Sequence, residues 1–385
     1  MRVTMLVRCL AMMRGGGETR HLAWMKELAA LGVEVDVITG RPLLLGSARY
    51  AVEWPHATVL RSPYVRDAVY RLQKQRGFGR VMMHALHADE EWFCRAAWRR
   101  IAIRPNPPDV VHAHALHQAA RLRRGGIPVV INLPGPPHLR YTDDLRQADA
   151  LVADGWAAAN LPALLGMPVE RVGKGVDSNL FHPEGDDCRA ALGLGSKRAI
   201  VSVARLVPLK NVRLLIDAFR IVHSEDPRAH LLIVGEGPET RALTRQANDL
   251  GVADSVTFAG HVPHDKTPAF YRSADVFALS SDFDNSPNVV LEAMASGLPV
   301  VATDVGGVRE FVDPNGGAIV PPRQPEPLAS AISEFLSQTV RARAAGGWNR
   351  TRALTQFSWR SSARQLLDVY SRVIAARAGG ERASA

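Results

Sequence analysis

The feature that most constrains the fold of this chain is the alternation of short apolar runs with helical patterns along nearly its whole length. The first two runs, residues 3–7 and 33–39, are separated by a glycine turn and a helical pattern over residues 18–31. Leu22, Met25 and Leu28 form an apolar stripe at helical spacing, and Gly32 is a typical helix terminator. This alternation predicts the α/β class, with parallel sheets covered on both faces by helices.

The same pattern restarts in the second half, and this predicts two Rossmann-like domains. Further strands are predicted in the first half at residues 58–61, 110–114, 128–132 and 150–153. A second series of apolar runs begins at Ala199, after a segment rich in glycine, proline and charge. A length of 385 residues suits two domains. We therefore predict domains at residues 1–180 and 199–385, a linker at 181–198, and a terminal helix over residues 357–376.

Composition narrows the classes of protein to which the chain belongs. Charges interrupt every long apolar run, so we expect no signal peptide, no membrane span and a cytoplasmic location. The cysteines Cys9, Cys94 and Cys188 are odd in number and far apart, unlike a disulfide framework or a zinc site. Of the net charge of +9, most lies in the first half, where residues 41–124 interleave basic and aromatic side chains. That segment is either an ordinary solvated face or a surface for anionic lipid or an acidic acceptor, and we do not expect nucleic acid.

The stretch SSDFDNSPNVVLEAMASGLPVVAT predicts a strand end, a loop, a helix and another strand. Ser286 suits the N-cap of that helix and Pro287 its first helical position. The backbone amides of Asn288 and Val289 then lie at the positive end of the helix, where they favour a phosphate group.

Carboxylates flank this helix start. Glu292 lies about a turn and a half into the helix, where it can accept hydrogen bonds from a ribose diol. Asp284 lies in the preceding loop, where it can bind sugar hydroxyls. The alternative is that both carboxylates cap helices or face solvent. Asp282 and Asp284 also spell D-x-D, a pattern that elsewhere holds a metal–nucleotide complex, but the adjoining phosphate-facing helix favours a site without metal.

Two cations follow the first strand of the second half. Arg205 comes directly after that strand, and Lys210 follows before the next helix. Such a pair can clamp a diphosphate and neutralise the charge that grows on it as it leaves. The alternative is that both are ordinary solvated surface side chains.

Glycines and histidines mark strand ends in the first half. Gly15, Gly16 and Gly17 allow a backbone to approach a ligand ahead of a helix, or form a plain flexible turn; they do not match the dinucleotide fingerprint. His112 and His114 end a predicted strand, where ligands of α/β sheets bind. Each is a substrate contact or a core or solvent histidine, and a metal site is disfavoured because no carboxylate or cysteine partner is evident.

Taken together, these motifs resemble the retaining family-4 glycosyltransferases of the GT-B fold over nearly the whole chain. The segments that carry the resemblance are VARLVPLKN, IVGEGPE, FAGHV, SPNVVLEAMASGLPVVATDVGGVRE and DPNGGAIVPP, with weaker support from GGGETRHLAWMKELAALGVEVDVIT, PDVVHAH and KGVDSNLFHP. The resemblance implies an acceptor-binding first domain and a nucleotide-sugar-binding second domain facing each other across a cleft. It also implies a UDP- or GDP-linked donor, a saccharide or lipid-linked acceptor, and no metal or other cofactor.

The resemblance also implies roles for individual residues. Arg205 and Lys210 match the residues that bind the diphosphate, and Glu292 matches the residue that holds the ribose. Asp284 stands where the family has the first glutamate of its Glu-x7-Glu pair, which contacts the donor sugar; the substitution keeps the charge and shortens the reach.

Further positions match donor contacts of the family. These are Gly16 and Gly17 near the donor, the backbone at His261 and Val262 facing the base, and His114 facing the donor sugar, with His112 as the fallback. The segment INLPGPPH departs from the family pattern, so no acceptor contact is assigned there.

The mechanism that the resemblance implies is front-face attack with retention, in which the departing phosphate takes the acceptor proton. Two other functions stay open on the sequence. One is a non-catalytic nucleotide-sugar-binding partner, which stays possible because Asp284 replaces the glutamate of the family. The other is a nucleotide-sugar epimerase on the same fold, which would need additional acid and base carboxylates around the sugar.

Overall fold

The computed structural model describes residues 1–11, 16–42, 52, 54–62 and 79–383, and it divides the chain into two compact units. The first unit comprises Met1–Gly173 together with Trp359–Ala385, and the second comprises Lys174–Ser358. Each unit contains one parallel sheet with helices, so the predicted α/β class is confirmed. No helix in these described ranges is long and apolar enough to cross a membrane.

The first unit is built on a seven-stranded parallel sheet whose spatial order is β3-β2-β1-β4-β5-β6-β7. Its strands are β1 (Arg2–Leu6), β2 (Glu34–Pro42), β3 (Ala57–Ser62), β4 (Val110–His114), β5 (Val129–Leu133), β6 (Ala150–Ala153) and β7 (Glu170–Arg171). Its first helices are α1 (Gly16–Ala30), α2 (Gly79–Ala102), α3 (Thr142–Leu145) and α4 (Gly155–Leu165). All six strands predicted in this part of the sequence are present, and among its described residues the two-residue β7 is the one strand that was not predicted.

The second unit contains a six-stranded parallel sheet with the order β10-β9-β8-β11-β12-β13. Its strands are β8 (Arg198–Val203), β9 (Ala229–Val234), β10 (Val256–Gly260), β11 (Val276–Leu279), β12 (Val300–Thr303) and β13 (Gly317–Val320). Its helices are α5 (Val212–Glu225), α6 (Thr240–Asp249), α7 (Pro268–Arg272), α8 (Asn288–Ala295), α9 (Pro325–Ser337) and α10 (Thr339–Gln356). Every residue of β9 is buried, as in sheets that are covered on both faces.

The last helix, α11 (Trp359–Ala383), belongs to the first unit, not to the second domain as predicted. Its apolar stripe, which includes Tyr370, is buried against α1, and the indole of Trp24 on α1 donates a hydrogen bond of 2.7 Å to Ser362. A helix with such a stripe must cover apolar surface, and the first sheet provides it. The helix predicted over residues 357–376 is therefore present and packs back on the first unit.

The predicted linker at residues 181–198 is packed into the second unit, so the predicted boundary at residue 180 also differs from the observed one. Phe181 is buried, and its ring lies edge-on to Tyr271 with centroids 5.7 Å apart. Arg189 donates hydrogen bonds to backbone carbonyls of the same unit, at 2.6 Å to Ser273 and 3.0 Å to Gly195. The polar composition of this segment reflects its surface position, while its few apolar side chains anchor it to the core.

Both sheets reverse their strand order at one point, and this determines where ligands can bind. The reversal lies between β1 and β4 in the first unit and between β8 and β11 in the second. Chain connections on the two sides of such a point run in opposite directions and leave a crevice at the carboxyl ends of the strands. The residues singled out from the sequence follow these strands.

Candidate active site

The loop that carries Arg205 after β8 is held by two glycines that follow β9. A Cβ on Gly235 would lie 1.9 Å from the carbonyl oxygen of Ala204, and one on Gly237 would lie 2.2 Å from that of Leu206. Only glycine permits this approach, which explains the spacing in IVGEGPE. The side chain of Arg205, near the start of this loop, is exposed.

Lys210 lies at the end of a short 3-10 helix, Pro208–Lys210, just before α5. Its ammonium donates a hydrogen bond to the carboxylate of Asp284, from the loop after β11. The two side chains are 17% and 14% exposed, so this ion pair is largely withdrawn from solvent. The structure therefore brings together two residues that are 74 positions apart and that the sequence assigned to diphosphate and sugar.

The backbone of Asp284 is also held in place by the turn after β12. Gly306 has a φ of +55°, and a Cβ on it would lie 1.7 Å from the carbonyl oxygen of Asp284. Gly307 donates a backbone hydrogen bond of 3.0 Å to the same oxygen. The position of the Asp284 side chain thus depends on a glycine turn from the neighbouring strand.

Asp282, the other carboxylate of D-x-D, has its own partners. The amide of Asn211 donates to its Oδ1 at 3.0 Å, and the guanidinium of Arg323 lies 3.4 Å from the same oxygen. Asp282 therefore ties the loop after β11 to the start of α5, while Asp284 turns to Lys210. Among the described residues, no group of three or more His, Cys, Asp or Glu side chains is arranged to hold a metal ion.

The helix next to this loop, α8, begins at Asn288, one residue later than predicted, so Pro287 and not Ser286 is its N-cap. Pro287 has an extended ψ of 113°, and the Ser286 carbonyl is already bound by the ammonium of Lys174. Among the described residues, the buried Ser286 Oγ and Asn288 Oδ1 have no hydrogen-bond partner. Buried polar atoms without partners are rare in folded proteins, so this helix start is prepared for a polar ligand.

Glu292, one turn into α8, is held by two side chains that the sequence did not point to. The hydroxyl of Tyr271 donates to Oε2 at 2.8 Å, and the Nε2 of His264 lies 3.1 Å from Oε1. Glu292 is 6% exposed and Tyr271 is fully buried. The hydrogen bond to Glu292 raises the pKa of His264, and burial raises the pKa of the Tyr271 phenol well above its usual value.

The residues expected to face the nucleotide base lie directly after β10. Gly235 donates a backbone hydrogen bond of 2.8 Å to the carbonyl of Gly260, which joins this segment to the glycine turn after β9. His261 is exposed and Val262 is half-buried. Their backbone therefore lies beside the loop that carries Arg205.

In the first unit, the structure brings Gly17 and His114 together. A Cβ on Gly17 would lie 2.5 Å from the Nε2 of His114, so a larger residue at this position would displace the His114 ring. The amide of Asn132 donates to Val152, so its oxygen accepts from the Nδ1 of His114 at 3.0 Å. Helix α1 begins at Gly16, so Gly16 and Gly17 form its first turn and do not precede it as predicted. Gly15 lies outside the described residues.

His112, the alternative to His114, is a core residue. It is 0% exposed, and its Nδ1 lies 2.8 Å from the hydroxyl of Tyr370 on α11. Burial lowers its pKa to about 3, so it stays neutral. Side chains two residues apart share a strand face, but α1 and α11 cover this one, so the interpretation of His112 as a substrate contact is wrong.

Comparisons with known proteins relate part of this chain to a family of glycosyltransferases. Residues 186–348 match the family described as "Glycosyl transferases group 1". The matched residues lie in the second unit, so this match concerns that unit. A protein from Mycolicibacterium smegmatis, "GDP-mannose-dependent alpha-(1-6)-phosphatidylinositol monomannoside mannosyltransferase", is 36% identical over 215 residues, 53% of this chain and 56% of that one. "D-inositol 3-phosphate glycosyltransferase" from Acidothermus cellulolyticus is 33% identical over 284 residues, 69% of this chain and 62% of that one.

The chain thus spans 56% and 62% of the lengths of these two relatives. A solved structure, sucrose-phosphate synthase from Thermosynechococcus elongatus, superposes with a TM-score of 0.80 over 97% of this chain and 99% of that one, at 22% identity. At that identity the likeness concerns the fold, which is GT-B with two Rossmann-like units. The predicted fold is therefore confirmed, and the family match over residues 186–348 supports the predicted resemblance.

Proposed function

We propose that this protein transfers a sugar from a nucleoside diphosphate sugar to a hydroxyl acceptor with retention of configuration and without a metal ion. The observation that carries this proposal is the pairing of Lys210 with Asp284 at the strand-order reversal of the second unit, next to the start of α8. A cation, free helix amides and a carboxylate in one place match a diphosphate joined to a hydroxylated sugar.

Arg205 and Lys210 would bind the diphosphate. Arg205 is exposed and Lys210 carries three donors, so both can reach phosphate oxygens; the amides of Asn288 and Val289 would add hydrogen bonds from the helix end. Negative charge grows on the diphosphate as the glycosidic bond breaks, and preorganised cations stabilise it most in that state. This is the role that a metal ion fills in other transferases, and it supports a metal-independent reaction.

Glu292 would hold the ribose, and the backbone at His261 and Val262 would face the base. Tyr271 occupies one carboxylate oxygen of Glu292, which leaves Oε1 for the ribose diol once His264 turns aside. The side chain of His264 is 51% exposed, so it can rotate into solvent without unpacking the core.

The donor and acceptor are proposed from the relatives' names together with the sequence. The relative named for GDP-mannose and phosphatidylinositol monomannoside, and the one named for inositol 3-phosphate, favour an inositol-containing or glycolipid acceptor. We therefore propose a GDP- or UDP-linked hexose as donor and a cell-surface polysaccharide or glycolipid precursor as acceptor. Gly17 and His114 are likewise proposed to contact the donor sugar.

Retention would follow from attack on the same face as the leaving group. The bond between the anomeric carbon and the phosphate oxygen breaks, the acceptor oxygen bonds to that carbon, and the acceptor proton passes to the departing phosphate. Asp284 is engaged by Lys210 and is not positioned as a free nucleophile, which supports this route over a covalent intermediate.

We also propose a cytoplasmic location with peripheral attachment to anionic lipid. The excess of basic side chains in the first half of the sequence supports this, although residues 43–51, 53 and 63–78 of the basic segment lie outside the described residues. Sedimentation with vesicles containing anionic lipid at low salt tests the attachment, and loss of binding to neutral vesicles is the matched control.

The test of function is release of nucleoside diphosphate from UDP-, GDP- and ADP-sugars in EDTA. Wild type should hydrolyse one donor slowly, and Lys210→Ala and Glu292→Ala should abolish this. Lys197→Ala is the control, because Lys197 lies before β8 at the opposite edge of the sheet, where its ammonium faces His230. Hydrolysis that needs a divalent ion would contradict metal independence, and tight binding without turnover would favour the non-catalytic alternative. Once an acceptor is found, NMR of the product's anomeric proton decides between retention and inversion.

A further inference from the structure

A chain of buried hydrogen bonds runs through the first unit from its last helix to its first. It starts at the hydroxyl of Tyr370 on α11, which lies 2.8 Å from the Nδ1 of His112. The Nε2 of His112 lies 3.3 Å from the Nε2 of His21 on α1, and the Nδ1 of His21 lies 2.7 Å from the carbonyl oxygen of Gly17. We call Tyr370, His112 and His21 the tyrosine–histidine chain.

The direction of each hydrogen bond follows from the last member. The Gly17 carbonyl can only accept, so the Nδ1 of His21 carries a proton. Burial holds the pKa of His21 well below its usual value, so its ring is neutral and its Nε2 accepts. His112 then donates from its own Nε2, and because it too is neutral, with a pKa of about 3, its Nδ1 accepts from Tyr370.

No member of the tyrosine–histidine chain has access to water. All three side chains are 0% exposed, so their polar atoms must find partners inside the protein. Reversing one hydrogen bond would leave two lone pairs or two protons facing each other at a neighbouring position. The proton arrangement is therefore a property of the whole chain and not of each residue separately.

The tyrosine–histidine chain ends next to Gly17 and His114, the two residues of the first unit that are proposed to contact the sugar. Its last acceptor is Gly17, whose missing side chain leaves room for the Nε2 of His114. His21 also packs on His114 directly, with ring centroids 4.3 Å apart. The first turn of α1 and the ring of His114 are thus both held by His21.

We propose that the tyrosine–histidine chain is a positioning device, through which α11 holds Gly17 and His114 in place for sugar transfer. Its members are positioning residues, because none of them reaches solvent or a ligand. The inference about positioning rests on the proposed function, whereas the proton arrangement does not. A positioning role also gives a reason for α11, which follows the second unit in the sequence, to pack on the first unit.

The proton arrangement is tested by ¹⁵N NMR of protein labelled at histidine. Wild type should show His112 protonated at Nε2 and His21 protonated at Nδ1, with neither ring titrating between about pH 5 and about pH 8. His112→Gln and His21→Gln variants assign the two signals. The opposite tautomer at either ring of the wild-type protein, or titration of either ring in this pH range, would overturn the proposal.

The coupling is tested with Tyr370→Phe, which removes one hydroxyl and keeps the ring. The signals of both His112 and His21 should change, although Tyr370 is hydrogen-bonded only to the first. Ser371→Ala, which removes an exposed hydroxyl from the next residue of α11, should change neither. A change confined to His112 would show that the hydrogen bonds are independent, and it would overturn the proposal.

The positioning role is tested by measuring donor turnover and ligand binding. In Tyr370→Phe, donor turnover should fall on the order of tenfold to a hundredfold, because a small misplacement of a site residue is costly. The Kd for nucleoside diphosphate should stay unchanged, since the residues proposed to bind it lie in the second unit. Unchanged turnover would refute the positioning role. Absence of turnover in wild type would instead count against the proposed function, and the tautomers would still decide the proton arrangement.

Discussion

The ion pair between Lys210 and Asp284 leads to a prediction in which binding and turnover change in opposite directions. In the free protein the ammonium of Lys210 is engaged by Asp284, yet Lys210 is also proposed to bind the diphosphate. A carboxylate next to a phosphate-binding cation competes for it and repels the ligand. Asp284→Asn should therefore tighten the binding of nucleoside diphosphate, while it weakens the sugar contact needed for turnover.

The size of the effect follows from the burial of the pair. Exposed ion pairs contribute about 0.2–1 kcal/mol, and two unit charges 4 Å apart interact by about 4 kcal/mol at an effective dielectric constant of about 20. The side chains of Lys210 and Asp284 are 17% and 14% exposed, which places the pair between these limits. We expect a gain of about 1–2 kcal/mol in binding, a decrease of about five- to thirtyfold in Kd.

Isothermal titration calorimetry with UDP and GDP at low ionic strength measures this change. The matched control is Asp304→Asn, which removes the same charge from an aspartate of the second unit that pairs at the surface with Arg309. The gain should shrink as salt is added, because screening weakens the repulsion. An unchanged or weaker affinity in Asp284→Asn would refute the reasoning, because Lys210 would then not be shared between the carboxylate and the diphosphate.

Three further predictions concern stability and pH. Tyr271→Phe should lower the free energy of unfolding by about 1.5–3 kcal/mol in urea denaturation, because it leaves a buried oxygen of Glu292 without its donor. The carboxylate of Glu292 raises the pKa of His264, so this pair stabilises the fold fully below the unfolded pKa and loses that contribution as pH rises through the raised one. The difference in urea midpoint between wild type and His264→Ala should therefore shrink from about pH 6 to about pH 9, and a difference that grows would contradict the assignment. Gly306→Ala should destabilise the protein in thermal unfolding, since its Cβ would lie 1.7 Å from a backbone oxygen. The control is Gly347→Ala in helix α10, where a Cβ would meet no atom within 4 Å, and this variant should stabilise the protein by about 0.5–1 kcal/mol.

Much of the second unit could be predicted from local sequence alone. The apolar runs after Ala199 correspond to strands β8 to β12, whereas β13 was not predicted, and the residues proposed to bind the donor follow these strands at the carboxyl edge of the sheet. This works because a parallel sheet brings the ends of its strands to one edge, so residues that end different strands become neighbours. Asp284 and Lys210 could be assigned to one site in this way, although their direct hydrogen bond could not be foreseen.

The partners of Glu292 could not be found from the sequence. His264 and Tyr271 come from a 3-10 turn and from the short α7, and neither has a spacing that signals a shared role with α8. Lys174, which binds the Ser286 carbonyl, lies 112 residues away and before the second sheet begins. Contacts of this kind depend on how helices and loops pack on the sheet, which local periodicity does not encode.

By itself the sequence determined the α/β class, most of the strands, several of the helices and the family resemblance, because these depend on the periodicity of neighbouring residues and on contiguous motifs. The tertiary structure alone decided which of two histidines on the same strand face is buried. His112 is covered by α11, whose Tyr370 is hydrogen-bonded to it and lies 258 residues later in the sequence. It likewise decided that α11 belongs to the first unit, where Trp24 and Ser362 meet across 338 residues of chain. Burial and hydrogen-bond partners arise only when distant segments pack together, and they decide which polar side chains are available to a ligand.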